Sequence, residues 1–443
     1  MSSAMDDLNL LQDLIVLARK AGADAADAVL TGGASLSVQR RMGKTEHVER
    51  SEARDLGLRV FIGQQIASVS ATTVDPAGFA ELVERAVAMA RVVPEDPFAC
   101  LADPVMPEDA GFLDLNDPHE PSATALGERA AMAEDAARAV AGVTNSEGAE
   151  AGYGSMVGIL VTSAGFAGRA MRTSHSVSAS VLAGTGVGMQ RDYDYHSAVH
   201  HSDLDDPMAI GRSAGERAVA RLNPSRPKTA KMPVVFDPRV SGSLLGHLAG
   251  AINGAAIARG TSFLKDKMGA RIFAPGIVVR DDPRRVRGLR SRVFDGEGVP
   301  TRALTLIEDG MLLTWLLDLR SAKQLGLATT GHGGRGSPGV TNLYLAAGAL
   351  SPAALLADIK EGLYINEMIG SAVNGLTGDY SRGASGFMIR DGQLAEPVAE
   401  ITVAGNLIDM FLHLTPANDL VFRRGVDAPT VREIGRASCR ERV

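Results

Sequence analysis

Hydrophobic residues near the start of the chain recur at helical spacing. They predict an amphipathic helix whose apolar face carries Leu11, Leu14, Ile15 and Ala18. Short alternating runs then predict three strands, at 35–41, 57–62 and 65–72. An Ala-rich stretch from 76 to 91 predicts a second helix, which completes a unit of helix, strands and helix.

The same order of patterns returns further along the chain. Ser122 is placed to cap a helix running to about Val140, and strand-like segments follow between 143 and 189. A helical pattern from 207 to 222 ends this second unit. We therefore predict an N-terminal α+β domain at 1–222, with a possible degenerate repeat of 1–92 in 121–222.

Prolines and charged residues at 223–233 have the composition of an exposed linker. A second domain is predicted at 234–434, with a short strand at 234–236, a helix from about 239 to 258, and many strands. Two of its turns have hairpin sequences, Glu308-Asp309-Gly310 and Arg390-Asp391-Gly392. The basic tail at 435–443 is interpreted as a cloning scar.

The order of these elements defines a fold class. Runs of strands with a few helices, without strict alternation, favour an α+β protein over a doubly wound sheet. We expect two domains, with N-terminal α/β layers and a C-terminal, largely antiparallel, β-rich domain with helices. The sequence has no Walker loop, and no dinucleotide-binding fingerprint in which a Gly-rich turn joins a strand to a helix.

Composition and charge narrow the classes of function. The 443 residues are 45% hydrophobic and 22% charged, with a net charge of -7, so no overall positive field would hold nucleic acid or an anionic membrane. Asp6 and Asp7 stand where an export signal needs positive charge, and no apolar run reaches the ~20 residues of a membrane span. Only two cysteines, Cys100 and Cys439, are present. These features predict a cytoplasmic protein without a membrane or direct nucleic-acid partner.

A search for hydrolytic chemistry finds few candidates. His196 and His200 are four residues apart, with Asp203, Asp205 and Asp206 nearby, but the alternating pattern around His196 favours a strand, which would separate them by about 13 Å. An exposed polar strand is therefore preferred to a metal site, which stays the alternative. No Gly-x-Ser-x-Gly elbow sits between a strand and a helix, so a serine hydrolase is unsupported.

Six arginines form a basic run between 280 and 292. Such a run could pair phosphates or an acidic peptide, although Asp281 and Asp282 lie inside it. No aromatic residues interrupt it, so a solvated face is the preferred interpretation. The arginines are Arg280, Arg284, Arg285, Arg287, Arg290 and Arg292.

Two segments of the second domain are candidate substrate-binding sites. The Gly-rich segment 331–339 lets the backbone approach a ligand, with His332 and Arg335 to hold it. The segment 377–386, expected to be a loop, concentrates polar and charged groups that could hold an extended peptide. Its candidate substrate-binding residues are Asp379, Tyr380, Ser381 and Arg382.

These segments belong to a wider resemblance. The chain resembles the TldD/PmbA family, and within it the PmbA (TldE) branch, up to about Arg432. The resemblance is carried by six stretches in order, at 246–252, 261–264, 294–299, 330–334, 377–387 and 401–407. It implies a two-subunit metallopeptidase acting on unfolded peptides, in which the TldD-type partner carries an HExxxH zinc helix and a later cysteine ligand.

The same resemblance indicates what this chain lacks. Placing the zinc helix on this sequence puts Gly246 and Ala251 at the two His positions and His247 at the Glu position. Glycine and alanine have no ligand atoms, and an imidazole cannot supply the carboxylate that activates water. We therefore expect no catalytic residue, metal or cofactor in this chain, and zinc in the TldD-type partner.

Three functions are compatible with these observations. The first is a non-zinc subunit of a metallopeptidase complex, inactive alone, that contributes a substrate-chamber wall and a dimer interface with the zinc-bearing paralogue or with itself as a homodimer. The second is a regulatory or binding protein, modulating gyrase or a toxin–antitoxin system without a peptidase role. The third is an independent hydrolase that uses unrecognised residues.

Overall fold

The computed structural model describes residues 4–105, 112–434 and 438–441. Its N-terminal part is a six-stranded antiparallel sheet in the spatial order β3-β2-β1-β4-β5-β6. The strands are β1 Ala25–Arg41, β2 Lys44–Ile62, β3 Gln65–Ala71, β4 Val143–Thr162, β5 Ala167–Ala183 and β6 Gln190–Ala198. Four helices accompany them, α1 Ala4–Lys20, α2 Phe79–Ala90, α3 Ala123–Arg138 and α4 Pro207–Ala220.

The four helices cover one face of this sheet. Alternate residues of β1, including Ala26, Ala28 and Leu30, pack under α1 and α2, and Val177 and Val181 of β5 belong to the cluster under α4. The opposite face carries the other residues of each strand and is exposed near its centre, at Gly33 and Ser35 of β1. The order of elements is helix, three strands, helix in both halves, while the internal duplication itself stays a prediction.

The C-terminal part contains two sheets. A five-stranded sheet has the order β11-β10-β9-β12-β17, with β9 Val279–Asp281, β10 Leu304–Glu308, β11 Met311–Leu312, β12 Leu343–Leu345 and β17 Val426–Asp427. An eight-stranded sheet has the order β16-β18-β8-β13-β14-β15-β19-β7. Its strands are β7 Ala230–Lys231, β8 Val234–Phe236, β13 Glu361–Val373, β14 Asp379–Arg390, β15 Gln393–Asn406, β16 Leu414–Pro416, β18 Val431–Glu433 and β19 Ser438–Glu441.

Five helices complete the C-terminal part, α5 Pro238–Ala251, α6 Gly254–Ala258, α7 Leu319–Leu325, α8 Pro352–Leu356 and α9 Leu407–Leu412. Helix α5 contacts β8 and β13 of one sheet and β12 and β17 of the other, so it lies between them. Among the described strands, only β12 with β17 and β8 with β13 pair in parallel. The α+β fold predicted from the sequence, with largely antiparallel C-terminal sheets, is confirmed.

The two hairpins predicted from Asp-Gly turn sequences are present in the structure. Asp309-Gly310 and Asp391-Gly392 form two-residue hairpins with positive φ at every position, 45° and 76° in the first and 47° and 77° in the second. The helix expected over 239–258 is instead broken after Ala251. Asn253 takes an extended conformation and its side chain accepts a hydrogen bond from the Ala255 amide, which starts α6 separately.

Parts of the predicted linker and of the C-terminal tail lie in strands, while the domain boundaries stay predictions. Within the predicted linker 223–233, residues 230–231 form β7, and Ser225 bridges to Val398. Of the tail interpreted as a scar, 435–437 and 442–443 lie outside the described residues, whereas 438–441 form β19 beside β15. In the described ranges, no helix is long and apolar enough to cross a bilayer.

Candidate functional site

Helix α5 positions the first group of candidate residues. Asp237 caps it by accepting a hydrogen bond from the Arg239 amide at 2.8 Å, and Pro238 occupies the first turn. Its apolar face is buried in the C-terminal core by Val240, Leu244, Leu245 and Leu248. The exposed face is bare, because a Cβ added to Gly246 or Gly250 would meet no heavy atom within 4 Å.

His247 and two residues of β14 meet beside this helix. The His247 and Tyr380 rings contact edge to face, with centroids 5.7 Å apart at 79°. Burial, and then the charge of Arg382, lower the pKa of His247. Burial raises the pKa of Tyr380 to about 12 even though the Arg382 guanidinium opposes the shift. Within the described residues, His247 Nε2 and the Tyr380 hydroxyl are buried without a well-formed hydrogen bond.

The segment 377–386 is not the loop expected from the sequence. Only its first two residues belong to a turn, and from Asp379 onward the chain runs as β14, paired with β13 and β15 in the interior of the sheet. Because side chains alternate along a strand, Tyr380 and Arg382 face one side and Asp379 and Ser381 the other. The four candidates therefore form two separate pairs.

The Asp379 side chain hydrogen-bonds within the turn that precedes β14. Its carboxylate accepts hydrogen bonds from the Thr377 hydroxyl at 2.7 Å and the Asn406 amide at 3.2 Å, and these bonds lower its pKa. Arg382 donates from Nε to the Gly370 carbonyl at 2.7 Å and is only partly buried. Arg382 is thus the member of the set that combines a fixed position with exposed donors.

The segment 331–339 is a loop, as predicted, but His332 is deeply buried. Its Nε2 lies 3.0 Å from the Asp281 carboxylate and its Nδ1 lies 2.9 Å from the Thr330 carbonyl. The imidazole is 1% exposed, so it shapes the loop from inside. A direct substrate contact by His332 stays a prediction, and it requires the loop to rearrange.

Arg335 joins this loop to the N-terminal sheet. Its Nη1 lies 2.5 Å from Asp27 on β1, and the same buried carboxylate pairs with Arg59. At its other end the loop is held by Asn253, whose Nδ2 donates to the Pro338 carbonyl at 2.8 Å. The loop consequently lies near the end of α5. The Phe263 amide donates to the Gly375 carbonyl at 2.9 Å and fixes the turn before β14 on the same side.

Sequence reasoning missed two buried acids beside this loop. The carboxylates of Asp295 and Glu297 both lie against Gly333, where an added Cβ would be 2.8 Å and 2.3 Å from their oxygens. Burial raises the pKa of Glu297 to about 8, and the charges of Asp295 and Asp318 add to this effect. Both acids lie in the stretch 294–299 that carried the family resemblance, which was the available signal.

Other candidates have different environments from those expected. His196 lies on β6, as the strand interpretation predicted, and its Nδ1 accepts from the Asp205 amide at 3.0 Å, while His200 lies beyond the strand end. Over the described ranges, no three His, Cys, Asp or Glu side chains are grouped to hold a metal. The basic run at 280–292 is not uniformly solvated, since Arg292 is largely covered.

Comparison with known proteins finds one family along nearly the whole chain. Three family models match, the PmbA/TldA metallopeptidase domain 1 at 26–90, the central domain at 116–222 and the C-terminal domain at 229–434. The chain is 38% identical to the metalloprotease PmbA of Escherichia coli O157:H7 over 92% of its own length and 90% of that protein.

Two solved structures share the fold. A proposed modulator of DNA gyrase from Bacteroides thetaiotaomicron superposes with a TM-score of 0.91 and 26% identity, covering 99% of both chains. TldE from Thermococcus kodakarensis has a TM-score of 0.86 and 19% identity, over 97% of this chain and 99% of that one.

Proposed function

The chain belongs to the PmbA/TldA metallopeptidase family, and from that premise we propose that it is the zinc-free companion subunit of a peptidase complex. In this proposal a TldD-type paralogue holds the metal and performs the hydrolysis. The observation that supports it is the sequence of α5, in which Gly246, His247 and Ala251 are the residues that the family resemblance aligns with the zinc motif.

The donor set on α5 does not fit a catalytic zinc. Zinc takes nitrogen, oxygen or sulfur ligands, and Gly246 and Ala251 offer none. Ala251 is also packed in the core at 7% exposure, so a ligand side chain there would disturb the packing. His247 is turned against Tyr380 and has a lowered pKa, which suits a neutral packing residue better than a carboxylate-like base.

The bare face of α5 and the side chain of Arg382 would then form part of a substrate-chamber wall. An exposed backbone at Gly246 and Gly250 allows close approach of an unfolded peptide. Arg382 would donate to a peptide carbonyl or carboxylate through the N–H groups that Gly370 does not use. Asp379 and Ser381 are exposed on the other side of β14 and would not face the same peptide. His332 and Arg335 would contribute only after their bonds to Asp281 and Asp27 open.

The most direct test is cleavage of an unfolded peptide by three samples, this chain alone, the host's HExxxH-bearing paralogue alone, and their mixture. We expect cleavage by the mixture to exceed the sum of the separate samples at least tenfold. Equal cleavage by the paralogue with or without this chain would contradict a companion role.

The Arg382→Ala variant tests the chamber wall. We expect peptide turnover by the mixture to fall about tenfold or more, because a hydrogen bond from a charged donor contributes ~1.5 to 3 kcal/mol. The melting temperature should change little, since the Arg382 side chain makes one hydrogen bond to Gly370. Exposed Arg302 provides a matched Arg→Ala control.

Unchanged turnover by Arg382→Ala with intact assembly would mean that β14 is only a scaffold. Lost assembly would instead place Arg382 at the subunit interface. Either result is separable from misfolding by the melting temperature.

A second candidate function is favoured by one observation, the gyrase-modulator description of the Bacteroides relative. In that case the chain would be a cytoplasmic regulatory protein that binds its target without any role in proteolysis. It would then assemble with itself or its target, and the paralogue would cleave peptide without it.

A further inference from the structure

A cavity of about 670 Å³ lies where the open face of the N-terminal sheet meets the segment 290–296. Strand β5 turns alternate residues such as Val177 toward the helices, so Arg172 points to the opposite, open face. Four arginines line the cavity, Arg169, Arg172, Arg290 and Arg292. Two acids, Asp114 and Asp295, also line it, and the remaining lining includes the apolar residues Leu115, Met156, Val293 and Phe294.

None of these four arginines forms an ion pair with a described residue. This differs from Arg287 nearby, whose Nε lies 2.6 Å from the Asp114 carboxylate. Arg172 is fixed by backbone carbonyls, donating to Leu289 at 2.7 Å and to Ser291. Its Nε is buried without a partner. The position of this guanidinium is therefore set, and its charge is not neutralised.

Arg292 is the second covered arginine. Its Nε is buried without a hydrogen-bond partner among the described residues. The acids whose charge acts on Arg292 are Asp295 and Asp281. Each of these carboxylates already accepts hydrogen bonds from other groups. Asp295 accepts from the amides of Glu297, Val299 and Gly333. Asp281 accepts from His332 and Thr341.

The cavity lining holds four arginines and two acids, so positive charge is in excess by two, and two of the arginines are covered. Burial lowers the pKa of both guanidinium groups, and the charge of Arg292 lowers that of Arg172 further. Buried charges in proteins are normally paired, because removing an unpaired charge from water is unfavourable. An excess of positive charge held in place in this way is what an oxyanion-binding site requires before its ligand arrives.

We propose that this cavity binds the carboxylate groups of an acidic, partly apolar peptide, with Arg292 as the main contact and Arg172 as a second positive charge. The planar guanidinium matches a carboxylate with two parallel hydrogen bonds. The apolar lining accommodates aliphatic side chains next to the acid. The choice of a peptide rests on the proposed function, whereas the choice of an oxyanion rests on the arginines alone.

The test is fluorescence anisotropy with a fluorescein-labelled peptide of alternating Leu and Glu, titrated with the full chain. The matched peptide replaces each Glu by Gln. We expect the Glu peptide to bind at least tenfold more tightly, and Arg292→Gln to weaken that binding about tenfold or more. Arg290→Gln, at an exposed lining position, should weaken it less and secures the test if Arg292→Gln folds poorly.

The control variant is Arg212→Gln, which removes an exposed arginine from α4 on the helix-covered face. Equal binding of the Glu and Gln peptides would overturn the proposal. Equal losses in Arg292→Gln and Arg212→Gln would overturn it too. Inorganic phosphate serves as a competitor, and Arg292-dependent phosphate binding without Glu-peptide binding would also contradict the peptide assignment.

This measurement uses the chain without its paralogue. A failed proposed function appears as unchanged turnover in the mixture, and a failed binding site appears as absent anisotropy change. The two failures are therefore distinguishable.

Discussion

Glu297 illustrates how a single residue can acquire an unusual acidity from its surroundings. The carboxyl is 7% exposed, and its Oε2 accepts one hydrogen bond, from the Leu319 amide at 2.9 Å. Burial is the main cause that raises its pKa to about 8 from 4.5, and Asp295 and Asp318 add repulsion. Arg59 opposes the shift only partly.

This acidity makes folding stability depend on pH in a defined direction. Between about pH 4.5 and 8 the folded chain holds the Glu297 proton and the unfolded chain does not, so the free energy of unfolding falls as pH rises through this window. The free energy of unfolding of Glu297→Gln, minus that of the wild type, should be higher at pH 8 than at pH 5 by roughly 2 to 4 kcal/mol. Urea unfolding at both pH values measures this.

The matched control is Glu216→Gln, an exposed acid on α4. Its difference from the wild type should be the same at both pH values. A Glu297→Gln difference that is also independent of pH would contradict the assigned acidity.

The sequence identified candidate functional residues, but it did not predict which residues they contact. His332 and Arg335 stood out as chemistry on a Gly-rich loop, yet their partners Asp281 and Asp27 lie far away along the chain. Nothing local distinguishes a histidine buried on a carboxylate from one that faces a ligand. Arg292 shows the reverse case, since it looked like one member of a solvated run.

At the scale of elements, α5 and β14 are the two units that shape the candidate site. The helix was predicted from its helical pattern, although the predicted range continued to 258 and α5 ends at Ala251. Strand β14 was hidden, because its polar residues 379–382 resemble a loop in composition. Pairing with β13 and β15 on both sides supplies the backbone hydrogen bonds that override this local preference.

Two glycines in these elements should respond oppositely to alanine. Gly250→Ala should stabilise the protein by about 0.5 to 1 kcal/mol, because alanine favours the helix and its Cβ meets nothing within 4 Å. Gly386→Ala should destabilise it by about 2 kcal/mol or more, because its Cβ would lie 1.9 Å from the Tyr364 carbonyl oxygen. Urea unfolding measures the free energy of unfolding of both variants, and each variant is the control for the other. A neutral Gly386→Ala would contradict the tight packing of β13 on β14.

At the scale of the whole molecule, ion pairs connect the N-terminal part of the chain to the C-terminal part. Arg335 pairs with Asp27, Arg239 with Asp192 at 2.8 Å, and Arg287 with Asp114 at 2.6 Å. The fold class followed from element order, whereas these partners are separated by up to 308 positions in sequence. Sequence patterns report local geometry, so the junction and its arginine-lined cavity were not predictable.

The central claim is that this chain contributes shape and binding to a peptidase but no metal. Elemental analysis of the isolated chain, the HExxxH-bearing paralogue and their purified complex tests it most directly. We predict no stoichiometric zinc in the isolated chain, and about one zinc per pair in the complex, held by the paralogue. About one tightly held zinc per isolated chain would contradict the account, and loss of that zinc in His196→Ala with His200→Ala would place the metal at that pair.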